Sequence, residues 1–254
     1  LGPSPNASAG FGPFASVTLR TDFPARELQF LVGAGIDPGP PAAIALLRAG
    51  KIGEYSDLLA GTSAVLGQFP AHNVDPYGLI PDELLHDVLA EGQCGLAFSC
   101  TRWEATRAIH AARSGHTAEL AEALAAQRAA ADNVGDAASE VVRTGSGSSG
   151  IVGNAVAAEL EITRAHVAFH QGRPEEALQI LSRLRGTTHV DLHLMARAAE
   201  ATGDLALAEE LYLGQSWQFM GPAATLDLAR LYERTNRPEQ ALRQWQRFLV
   251  MWEE

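Results

Sequence analysis

From Val156 onward, apolar residues recur at steps of three and four, and three short turn-forming blocks interrupt them: Gly172-Arg-Pro-Glu-Glu-Ala177, Gly203-Asp-Leu-Ala-Leu-Ala208 and Asn236-Arg-Pro-Glu-Gln-Ala241. The closing alanines are 31 and 33 residues apart. Amphipathic sequence on both sides of a turn, repeated at that period, predicts stacked helix-turn-helix units. Each block ends one helix at a Gly or Asn able to take positive φ, and opens the next with a small or acidic residue. Small residues on both arms let the two helices approach closely: Ala165, Ala168, Ala196, Ala199 and Ala229 before the turns, and Ala177, Ala208 and Ala241 after them. Four positions later stand the larger Leu181, Tyr212 and Trp245, so one face alternates small and bulky groups as close packing requires.

The pattern continues upstream with less regularity. Asp82 to Ala90 reads as a helix with an acidic first turn, and Trp103–Ala112 with Thr117–Ala131 as a helical pair around Ser114-Gly115, whose Ala108 and Ala111 keep the offset of the later units. Pro41–Ala49 and Glu54–Leu66 form a further predicted pair, and residues 69–81, dense in Pro, Gly, Asn and Asp, a loop. Residues 1–40 are expected to be an irregular Pro/Gly-rich arm, 41–142 N-terminal helical hairpins of degenerate repeats, and 154–254 the regular repeats. Between them, residues 143–153 hold Gly145-Ser-Gly-Ser-Ser-Gly150, which has no apolar side chain to bury and the composition of a flexible, engineered linker.

The C-terminal pattern resembles the tetratricopeptide repeat. In that family a small residue stands at the eighth position of each repeat, an aromatic at the eleventh, Gly near the fifteenth, Ala at the twentieth and a large apolar residue at the twenty-fourth. Ala229, Tyr232, Asn236, Ala241 and Trp245 match in register, whereas Ala168 and Ala199 replace the aromatic in the two earlier repeats. The resemblance implies an all-α, right-handed α-solenoid of helix-turn-helix repeats, with first helices lining a concave groove. In that register His166, His170 and His193 fall on groove positions, and Arg230 and Arg234 take the matching places in the third repeat.

Composition narrows the function. A net charge of −11 and a pI near 5.2 argue against non-specific nucleic-acid or anionic-membrane binding, which needs a basic footprint. No stretch approaches the ~20 apolar residues of a membrane span. Lys51 is the only lysine, and its rarity beside abundant Ala, Gly and Arg points to a GC-rich genome. The Pro-, Ser- and Gly-rich start from Leu1 to Gly12 fits a mature exported protein or an interdomain linker, and Asn6-Ala-Ser8 is a sequon expected by chance. Cys94 and Cys100 allow two readings, a disulfide or two buried thiols, and their spacing suits neither a zinc ribbon nor a redox dithiol.

Catalytic patterns are missing from the sequence: there is no Gly-x-Ser-x-Gly elbow, no His-Glu-x-x-His helix, and Val32-Gly-Ala-Gly35 lacks the context of a phosphate loop. No enzymatic activity is expected, and no cofactor or resident metal. His166 with His170 and His189 with His193 are spaced i,i+4, close enough to share an ion, and the competing reading is ordinary groove and surface histidines; His86, His110 and His116 carry less signal still. Arg230 and Arg234 can grip carboxylates in bidentate fashion, or lie on a solvated face paired to Glu200 or Glu233. The expected function is a protein-protein interaction scaffold or accessory subunit that holds a segment of another protein or peptide through His166, His170, His193, Arg230 and Arg234. Two alternatives are a metal- or cofactor-binding accessory subunit of a redox or metalloenzyme assembly, and the sensor or regulatory part of a longer protein. Trp245 is core by its repeat position; Trp252 is a cap or an exposed contact on a last helix pair that no further helix covers.

Overall fold

The computed structural model describes residues 82–91, 97–143, 149–185, 190–215 and 221–253. The N-terminal arm, the helix pair expected over 41–66, the loop at 69–81, Cys94 and His189 lie outside the described residues. Every regular element among the described residues is an α-helix: α1 (Asp82–Glu91), α2 (Ala97–Ser114), α3 (Thr117–Arg143), α4 (Ser149–His170), α5 (Pro174–Leu184), α6 (Leu192–Ala201), α7 (Leu205–Gln215), α8 (Gly221–Arg234) and α9 (Pro238–Glu253). Helix α4 begins inside the Gly/Ser run, at Ser149. None of these helices is long and apolar enough to cross a membrane.

Four hairpins, α2–α3, α4–α5, α6–α7 and α8–α9, turn in the same way. Gly115, Gly172, Gly203 and Asn236 sit at φ of 75°, 76°, 85° and 56°. The amide following each donates to a carbonyl five residues back: His116 to Ala111, Arg173 to Ala168 and Asp204 to Ala199 at 2.9 Å, and Arg237 to Tyr232 at 2.8 Å. In the last three, the Gly or Asn amide also donates to the carbonyl three residues before it, completing a Schellman turn that satisfies the orphan carbonyls of the helix end. The Asn at 236 works because its short polar side chain tolerates the left-handed region better than a branched one would.

Packing follows the small-and-large alternation. Ala165, Ala168, Ala177, Ala196, Ala199, Ala208 and Ala241 join Leu181, Leu194, Leu228 and Tyr212 in one buried cluster that runs from α4 to α9, with Trp245 half-buried against it. Upstream, Ala108, Ala111, Leu120 and Ala123 of the α2–α3 hairpin pack with Val167 of α4. A buried hydrogen bond, Gln127 Nε2 to Thr163 Oγ1 at 2.9 Å, ties α3 to α4. Side chains also bridge neighbouring hairpins: Glu209 of α7 accepts from the Tyr232 hydroxyl at 2.9 Å and from Arg237 Nη1 at 2.8 Å. At the C-terminal end, α9 leaves Leu242, Leu249 and Val250 exposed. Cys100, near the start of α2, is disulfide-bonded, which takes it out of the buried-thiol reading.

Candidate functional site

The first helices of the C-terminal hairpins, α4, α6 and α8, are linked in succession by histidines that reach forward to an aspartate. His166 Nε2 of α4 donates to Asp191 Oδ2 at 2.8 Å, and His193 Nε2 of α6 donates to Asp227 Oδ2 of α8 at 3.0 Å. Asp191 has a second task as the N-cap of α6, where its Oδ1 accepts from the Leu194 amide at 2.9 Å. Both histidines are buried, at 8% and 6% exposure, so neither offers its ring to a visitor. A largely buried imidazole–carboxylate pair of this kind ties two helices at a set spacing.

Outside that buried line lies a stripe of basic side chains. His170, one turn beyond His166, stacks on it with ring centroids 6.1 Å apart and is half-buried. Burial, together with the charges of His166, Arg197 and Arg113, pulls the His170 pKa down to about 3, which keeps the ring neutral near pH 7. The Arg197 guanidinium lies 5.0 Å above the Phe169 ring, a cation–π contact. No carboxylate among the described residues stands within ion-pair distance of Arg197. On α8, Arg230 Nη1 touches Asp227 Oδ1 at 3.4 Å, and Arg234 is paired with Glu200 of α6, which also accepts from the Tyr212 hydroxyl at 3.1 Å. The Arg230 and Arg234 side chains keep 53% and 59% of their surface in solvent.

Asp227 shows how the stripe is balanced. Burial pushes its carboxyl pKa up, yet the His193 hydrogen bond and the charges of His193, Arg197 and Arg230 outweigh burial and hold it below the usual carboxylate range. Its negative charge in turn raises the Tyr212 phenol further, after burial, which is the larger cause. Asp227 is therefore a fixed anion, bonded to His193, touching Arg230 and influenced by the charge of Arg197 from beyond ion-pair range. The surplus positive charge remains on the outer side, at Arg197 and Arg230.

Of the five sequence-derived site residues, the structure joins His166 with His170, sets His193 under Asp227, and places Arg230 and Arg234 on the exposed side of the same helix. Arg197 and Phe169 were not singled out in the sequence; the signal was present, since Arg197 follows His193 by four residues. Among the described residues, His166, His170 and His193 do not gather a metal-ligand group. Among the described residues, the group of His, Asp and Glu close enough to hold an ion is instead His86, His116 and Glu119, in the α1–α3 region. No protein-family model matches the chain, and no curated protein matches it either.

Proposed function

We propose that this chain is a tetratricopeptide-like, right-handed helical repeat protein whose function is recognition, and that it holds an acidic or carboxylate-terminated segment of another protein on the face formed by α4, α6 and α8. The three matching Schellman turns and the continuous alanine-lined core support the repeat architecture. The observation that carries the function is Arg197: a guanidinium held by stacking on Phe169, beside a neutral imidazole, with no carboxylate in ion-pair range among the described residues. Its planar fork is oriented in advance to donate two hydrogen bonds to a carboxylate. Arg230 and Arg234 extend the site by one helix, which suits an extended segment with more than one acidic group. The chain's negative net charge does not oppose this at short range, because salt screens charges more than about 8–10 Å away.

A panel of fluorescent peptides tests it. Peptides with clustered Glu or Asp, or a free C-terminal carboxylate, bind in anisotropy titrations, and amidated neutral versions do not. Arg197→Ala and Arg230→Ala each weaken binding by roughly 10- to 150-fold, the ~1.5–3 kcal/mol of a charge-assisted contact. Equal binding of acidic and neutral peptides, or full affinity in the doubly substituted protein, refutes the assignment.

A further inference from the structure

The α1–α3 region holds a second arrangement that partner recognition does not use. His86 projects from α1, His116 stands in the α2–α3 turn, and Glu119 lies in the first turn of α3. Their ligand atoms all fall within 4.8 Å of one another. Glu119 Oε2 is 3.4 Å from His116 Nδ1 and 3.7 Å from His86 Nδ1. In a tetrahedral zinc site with bonds of about 2.0–2.1 Å, neighbouring donor atoms stand about 3.3–3.4 Å apart. The two separations from Glu119 approach that donor spacing.

The backbone that carries the donors is set before any ion arrives. His116 is fixed on both sides of its peptide, its amide bonded to the Ala111 carbonyl at 2.9 Å and its carbonyl to the Leu120 amide at 2.9 Å, so Glu119 follows in fixed register. His86 is flanked by Leu85 and Leu89, buried at 3% and 5% exposure, which anchor α1 against its neighbours. A cleft of about 200 Å³, lined by His86, Leu89, Arg107, His110 and Glu119, opens beside the cluster. Among the described lining residues the one cation is Arg107, offset by Glu104 at 2.9 Å and Glu122 at 3.3 Å.

We infer that His86, His116 and Glu119 form a binding site for a zinc-class divalent ion, three protein donors with a fourth coordination position facing the cleft. Two imidazoles and one carboxylate favour zinc and its neighbours in the first transition row over magnesium or calcium, which take oxygen donors. An ion bound here cross-links α1 to the α2–α3 hairpin. Its free position accepts water or a donor atom that enters the cleft.

The test uses the full chain, purified without a histidine tag and stripped with chelator. Titration calorimetry with ZnCl2 is expected to give one ion per chain, and MgCl2 to give no binding. Co2+ in place of zinc is expected to show the intense visible bands of a tetrahedral site. All three side chains are substantially exposed, so His86→Ala, His116→Ala and Glu119→Gln leave the core intact, as circular dichroism will register. Each is expected to weaken Zn2+ binding by at least roughly tenfold, the lower end of what loss of an outer-shell partner alone removes. Zinc is also expected to raise the melting temperature of the parent protein and not that of the His86→Ala/His116→Ala variant. His170→Ala serves as the control and leaves the affinity unchanged. Absence of stoichiometric Zn2+ binding, or undiminished binding by the double variant, overturns the assignment.

Discussion

Histidine does opposite work in the two halves of this stack. In the C-terminal hairpins, His166 and His193 are buried and each is committed to an aspartate of the next first helix. In the α1–α3 region, His86 and His116 are exposed and converge on one glutamate. The residue type is the same, and the side-chain spacing along each helix says nothing of the outcome. What differs is the carboxylate: Asp191 is itself buried and fixed as a helix cap, whereas Glu119 is half-exposed and faces two imidazoles at once. A carboxylate already constrained by the backbone makes a structural pin. One shared between two exposed rings makes a ligand set.

The sharpest way to break this comparison is to remove one histidine from each half. His166→Ala leaves the Asp191 carboxylate buried with one partner fewer and is expected to cost about 3 kcal/mol in urea denaturation, the scale for stripping a buried charged pair of one member. If His166→Ala is as mild as a surface change, the pin is not structural. Gly203→Ala comes next. A Cβ there meets nothing within 4 Å, so the cost is that of the left-handed backbone alone, about 1–2 kcal/mol. Asn236→Gly, at the equivalent turn, is expected to be neutral or slightly stabilising by the same measurement.

The third test is the pH dependence at His170. Its folded pKa, about 3, lies below the ordinary histidine value of about 6.5, so the unfolded chain takes up the proton first as pH falls. Its contribution to stability is complete above that ordinary value and is lost as pH drops toward about 3. Asp227, held below the usual carboxylate range, adds loss in the same direction at the acid end. His170→Gln is therefore expected to flatten the rise of the urea midpoint between about pH 3 and 6.5; an unchanged slope would mean that the ring does not titrate between the two states. The smallest effect belongs to His86→Ala, which without metal is expected to change stability by no more than about 0.5 kcal/mol, the range of surface substitutions.

Much of the architecture was legible because it is written in local chemistry. Gly172, Gly203 and Asn236 mark the turns, and Ala177, Ala208 and Ala241 mark the close approach of the following helix; all six positions behave in the structure as their chemistry requires. Helices α1, α2 and α3 also fall where periodicity placed them, although α2 and α3 extend beyond the predicted ends. The side-chain partnerships were not legible. Asp191 lies 25 residues from His166 and Asp227 lies 34 from His193, and nothing local tells an aspartate that caps a helix from one that also receives a ring. His86, His116 and Glu119 are hidden for the same reason, since α1 meets the α2–α3 turn only through tertiary packing. Arg234 combines both outcomes weighed for it, paired to Glu200 and still open to solvent.

The double duty of Asp191 has a consequence for how the stack comes apart. Its two oxygens serve different masters, one the start of α6 and the other the preceding hairpin, so pulling those hairpins asunder uncaps the helix in the same stroke. Linear arrays whose modules touch only adjacent modules tend to fray one module at a time. Here a single carboxylate joins two modules, so they are expected to melt in one step, and fraying that starts at the carboxyl end is expected to stall at that joint.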